Sequence, residues 1–232
     1  MAYDALAESL RLLEGTPAAA VARLSRRTRH LPLAVDRDGP VAATMFLRRG
    51  VSGEPWLDVH SLELTRGGAW RILGGGSGNG GDAVLAPRPA LAAVPAPAEV
   101  LGWRGTLRNA ERLMPWGGKW VRWAQLRVAV EVTSLGVGDR QVAVSAHGAA
   151  LVVWAGRRPP RVLALDAAGR ALQAVALPAY LAGPPAAGAE RLRDGKSASR
   201  PPVVALSAPV LPVELLRRSL DEAQGSRPPK RW

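Results

Sequence analysis

Residues 119–133, KWVRWAQLRVAVEVT, decide the fold class. Ala124, Leu126, Val128, Val130 and Val132 share one parity, while Gln125, Arg127, Glu131 and Thr133 share the other. Successive side chains of a strand project to opposite faces, so this alternation predicts a β-strand with one face on a core. Trp120 falls on the apolar parity and is expected inside. Trp123 shares its parity with Lys119, Gln125 and Arg127, which makes it the expected exposed ring.

The same period extends on both sides. Downstream, residues 141–146, 149–155, 161–165 and 170–177 read as short strands, with turn signals at 136–139, Gly148 and 166–169. Upstream, residues 30–35, 41–48, 56–65 and 69–73 do the same, separated by Asp38-Gly39-Pro40, 50–53 and Arg66-Gly67-Gly68. Between the two blocks lie the glycine-rich residues 74–82 and a connection at 87–98 with prolines at 87, 89, 95 and 97. So many prolines exclude a helix or a central strand there. A short helix is expected at 107–114. Strands of this length and spacing predict a mainly β fold, a sandwich or open-barrel body.

Helices are expected only at the ends. Asp4 suits an N-cap, Leu6, Leu10 and Leu13 share one helical face, and Gly15 suits the position after the helix. Thr16-Pro17 restarts the chain, so residues 1–30 read as a helical hairpin whose second helix carries Val21, Leu24 and Thr28. The organisation expected is this hairpin, a β-rich body at 31–182 that the connection at 87–98 divides or merely crosses, a flexible loop or linker at 183–202, a strand plus a C-terminal helix at 203–225, and a disordered basic tail at 226–232.

Composition narrows the function. Of 232 residues, 31 are Lys or Arg and 19 Asp or Glu, a net charge of +12, and there is no cysteine. Without cysteine there is no disulfide scaffold, thiolate-ligated metal or cysteine nucleophile. No apolar run reaches about 18 residues, so no spanning helix and no membrane partner are expected. The first residues lack the basic start and apolar core of a secretory signal, and the expected compartment is the cytoplasm. Residues 103–182 carry eleven basic against four acidic side chains, so the charge is concentrated rather than spread. GC-rich coding favours Arg and Ala everywhere but does not concentrate charge in one part of a chain. An acidic partner does account for it.

Cofactor and catalytic motifs fail their context tests. Gly76, Gly78 and Gly81 spell G-x-G-x-x-G, but Pro87 and Pro89 leave no room for the helix on which a pyrophosphate rests, so a flexible connection is expected. Gly195-Lys196-Ser197 resembles the end of a phosphate loop, yet Glu190 stands where its first glycine belongs. The three histidines, His30, His60 and His147, form no close ligand pair. Asp58 and His60 share one strand face and are the only candidates for acid–base work. No catalytic, cofactor or metal residues are assigned.

Tryptophan and arginine carry the remaining signal. There are eight Trp against two Tyr and one Phe. Trp103, Arg104, Arg108, Arg112, Lys119, Arg122, Trp123 and Arg127 interleave flat rings with cations, as a surface for a partner or for unpaired bases requires. The leading expectation is a non-catalytic binding or adaptor module, a subunit of a larger assembly with protein partners. Nucleic-acid binding through these eight residues is the alternative.

Overall fold

The structure, a computed structural model, describes residues 3–15, 24–79, 81–110 and 117–178. The fold is mainly β, with three antiparallel sheets that do not close into a barrel. Among the described residues no helix is long and apolar enough to cross a membrane.

The N-terminal helix α1, Ala5–Leu13, is capped as its sequence predicts. Asp4 accepts from the Leu6 and Ala7 amides at 3.0 and 3.1 Å, and Gly15 follows with φ +86°. The second helix of the expected hairpin is not supported. Residues 16–23 lie outside the described residues, and residues 24–29 are irregular. There the Ser25 hydroxyl accepts from the Arg27 and Thr28 amides, a local turn that competes with helical hydrogen bonding. The expected loop at 183–202, strand and helix at 203–225 and tail at 226–232 also lie outside the described residues.

The first sheet is a meander of β1 (His30–Asp38), β2 (Val41–Arg49), β3 (Pro55–Leu64) and β4 (Trp70–Asn79). Its outer face carries α1, pinned where Ser9 Oγ meets Thr44 Oγ1 at 2.8 Å. The chain then forms the five-residue α2 (Gly81–Leu85) and a single 3-10 turn at Leu91–Ala93 before β5 (Ala98–Leu107). The central sheet has the order β5–β6–β9, with β6 at Trp120–Val128 and β9 at Ala149–Trp154. The third sheet combines β7 (Ser134–Val137), β8 (Arg140–Ala143), β10 (Val162–Leu165) and β11 (Ala171–Val175) in the order β11–β10–β7–β8.

The central sheet is buried on both faces. Val121, Trp123, Leu151 and Val153 enter one core with Leu31, Met45, Leu47 and Val59 of the first sheet. Ala124, Leu126, Val152 and Trp154, of the opposite parity, enter a second core with Leu135, Val137, Val142 and Val162 of the third. The parity within 119–133 was therefore legible, but its second face is covered by protein. Trp123, expected exposed, is 4% exposed.

The alternation also ends sooner than expected. After Val128 the chain turns, and Val130 is 51% exposed. Arg88 Nη2 holds this turn by donating to the Ala129 and Val132 carbonyls at 2.5 and 2.6 Å. Residues 136 and 137, the first half of the turn expected at 136–139, pair within β7 (Ser134–Val137), and the turn is confined to Gly138-Asp139. The expected helix at 107–114 is not present in its described part, since Leu107 ends β5 and 108–110 are a turn. Its remainder lies outside the described residues.

The outer edge of β9 is closed by side chains. Asp36 Oδ2 accepts from the Val153 amide at 2.8 Å, and Arg140 Nη2 donates to the Val153 carbonyl at 2.6 Å. These charged groups take the place of a neighbouring strand on an otherwise unpaired edge.

Candidate binding cleft

The glycine-rich run, expected as a flexible connection, is the second half of β4. It pairs along β3 with Asp58 opposite Ser77, Val59 opposite Gly76 and His60 opposite Gly75. Bare backbone lets β4 lie this close. A Cβ on Gly75 would overlap the Val59 carbonyl oxygen, and one on Gly76 would sit 3.3 Å from Arg104 Cδ and 3.4 Å from Trp123 Cζ2. The run is thus shaped for close approach by neighbouring chain.

β4 is the edge of the first sheet and β5 the edge of the central sheet. At one end the two come together, where a Gly74 Cβ would lie 3.1 Å from Thr106 Cγ2. They then splay apart, and a Cβ on Gly78 would meet nothing within 4 Å. The space between them is a cleft of about 310 Å³. Leu57, Leu101 and Trp123 give it an apolar base, and Trp103, Arg104 and Gln125 supply its larger polar and aromatic lining.

Two features distinguish this cleft. The Trp123 indole Nε1 is buried and has no hydrogen-bond acceptor among the described residues. A buried donor left unpaired costs about 1–3 kcal/mol. Its ring lines the cleft, with Cζ2 3.4 Å from the place a Gly76 Cβ would take. Trp103 is 49% exposed, and the guanidinium of Arg104 beside it has no hydrogen bond or ion pair among the described residues.

A second, shallower opening shares Gly76 and Ser77 and is lined by Tyr3, Arg48, Asp58 and His60. Asp58, 5% exposed, accepts from Arg48 Nε and from Ser77 Oγ, each at 2.5 Å. His60 Nε2 lies 2.8 Å from the Tyr3 hydroxyl. Burial pushes the Tyr3 phenol well above its ordinary range, reinforced by the charge of Asp58, and pushes the His60 imidazole down. Ser77 is committed to Asp58 rather than to the imidazole, so the hydroxyl-to-base contact of nucleophilic catalysis is not formed here.

The eight residues singled out in the sequence fall into separate settings. Trp103, Arg104 and the buried Trp123 meet at the cleft. Arg108 donates Nε and Nη2 to Glu63 Oε1 at 2.9 and 2.6 Å, in a depression that also holds Lys119 and Arg71. Arg122 is buried, with Nη1 on the Gly156 carbonyl at 2.9 Å. Arg127 Nη2 donates to the Ala86 and Pro87 carbonyls at 3.0 and 2.7 Å. Arg112 lies outside the described residues. Gly76, Gly78, Leu101 and Gln125 were not anticipated. For Gln125 the signal was present, since it shares the parity of Trp123.

Comparison of the chain with family models, with characterised proteins and with solved structures finds no match.

Proposed function

We propose that the chain is a non-catalytic binding module, a cytoplasmic subunit that holds a partner protein at the cleft between β4 and β5. The observation that carries this is the meeting of two unpaired sheet edges over a buried, acceptor-less Trp123 N–H. Edge strands present rows of free amides and carbonyls, and a partner's backbone satisfies them. A photo-crosslinking residue in place of Trp103, in the full chain in its native cells, tests it. The expected result is one defined protein adduct, absent when the same residue replaces Leu172 on β11, which is also exposed. Equal labelling from both positions would overturn the reading.

Nucleic-acid binding is the second reading, favoured by exposed Trp103 beside unpaired Arg104 on a chain of charge +12. Against it, Arg108, Arg122 and Arg127 already donate to protein acceptors. It requires single-stranded DNA or RNA to bind with an affinity that collapses between about 50 and 200 mM salt.

A further inference from the structure

We infer that the cleft takes a short, extended, acidic peptide segment laid along the free edge of β4 from Gly76 to Gly78. This rests on the binding-module reading and adds the chemistry of the occupant. Four observations converge on it. First, the cleft wall on the β4 side is Gly76, Ser77 and Gly78, with the Ser77 hydroxyl turned to Asp58, and a Cβ on Gly78 would meet nothing within 4 Å. An added strand runs about 4.8 Å from its neighbour, and side chains on the edge strand do not obstruct it where there are none. Second, the edges converge at Gly74 and Thr106, so the slot is closed at one end and admits only a few residues. Third, among the described residues the one charged side chain lining the cleft is Arg104, whose guanidinium has no partner there. It complements a carboxylate, which it can bind through two parallel hydrogen bonds. Fourth, the Gln125 amide at the side offers hydrogen bonds to a passing backbone or side-chain carbonyl.

The occupant follows from these groups taken together. A strand hydrogen-bonds to its neighbour at every second residue and alternates its side chains. One face then rests on Leu57, Leu101 and Trp123, while an acidic side chain reaches Arg104. A base would stack on Trp103 but would leave the backbone groups of β4 unpaired, which is why a peptide is favoured over a nucleotide.

The test uses the full chain and three fluorescent probes: an octapeptide of alternating Val and Glu, its Val and Lys counterpart, and a twelve-residue thymidine oligonucleotide. The Glu peptide is expected to bind and the Lys peptide to bind at least about tenfold more weakly. Gly78→Val fills the slot without a clash and is expected to abolish binding at an unchanged melting temperature. Arg104→Gln is expected to weaken binding about tenfold, and it serves as the second variant should Gly78→Val fail to fold. Equal binding of both peptides, binding that survives Gly78→Val in a folded protein, preference for the oligonucleotide, or no binding of the Glu peptide up to about 1 mM would each overturn the inference. If it is overturned while the Trp103 position still crosslinks to one protein, the module reading stands and only the occupant's chemistry is wrong. If neither occurs, both fail.

Discussion

Arg140 grips Asp36 through two parallel hydrogen bonds, Nε to Oδ1 at 2.9 Å and Nη2 to Oδ2 at 2.7 Å, across 104 residues of sequence. The pair ties the first sheet to the third and, through the Val153 amide and carbonyl, closes the edge of the central one. Removing Asp36 leaves the part-buried Arg140 only Asp38, at 3.7 Å, and strands the buried Val153 amide. Asp36→Ala is therefore expected to cost about 3–5 kcal/mol. Urea unfolding measures this, and the double variant with Arg140→Met should lose less than the sum of the single losses, because the two act as one unit.

The two tryptophans of the cleft predict opposite outcomes. Trp123 is core and Trp103 is half exposed. Trp123→Ala is expected to destabilise by about 3–5 kcal/mol, and Trp103→Ala by no more than about 0.5 kcal/mol. Acrylamide quenching gives an independent check, since loss of Trp103 removes a readily quenched component and loss of Trp123 a protected one.

Neighbouring glycines of β4 differ as sharply. A methyl at position 75 overlaps the Val59 carbonyl oxygen and stands 3.3 Å from His60 Nδ1, so β4 must shift to admit it. Gly75→Ala is expected to cost about 1–3 kcal/mol. At position 78 a methyl enters open space. Gly78→Ala should leave thermal stability unchanged or slightly raised, because it restricts the unfolded chain.

Acid sensitivity should come in two separate ranges. Burial holds His60 below its ordinary value of 6.5; Asp58 opposes the shift and Arg48 adds to it. With the folded value the lower, the unfolded chain binds more protons in the interval between the two. The stability that neutral His60 contributes is then complete above about pH 6.5 and declines as pH falls through that interval. His60→Gln should flatten this part of the stability curve, and NMR titration of the ring should give a midpoint under 6.5. Glu63 responds only at lower pH. Burial raises its pKa, but hydrogen bonds and charge from Arg108 and Arg71 outweigh that and hold it below 4.5, so its contribution is lost as pH falls below that value.

Much of the β framework was legible because it rests on local signals. Asp4 and Gly15 marked the ends of α1, and the parity of 119–128 placed Ala124, Leu126 and Val128 of β6 on a core face. What the parity did not contain was the layer beyond it. A strand half covered and a strand wholly covered differ only in what packs on the second face, and Val121 and Trp123 lie among polar neighbours in the sequence. The glycine run misled for a related reason: its strand conformation comes from pairing with β3, not from any preference of glycine. β5 likewise has no clean alternation, since Gly102 and Gly105 interrupt it. The cleft was half visible, through Trp103 and Arg104. Its other wall was hidden in residues that looked like a loop.

The doubly covered central sheet sets a condition on synthesis. The first sheet is complete when Asn79 has been made, but its inner face is covered by β6 and β9, which end at Val128 and Trp154. Emergence of β9 begins about 70 residues after β4 ends, a delay of roughly 4–14 s at typical elongation rates. Until β6 and then β9 are made, Leu31, Met45, Leu47 and Val59 lack their full cover. The nascent chain is thus an apolar β-meander exposed at the ribosome, a natural client for chaperones, and a fragment ending before β9 is expected to aggregate rather than fold.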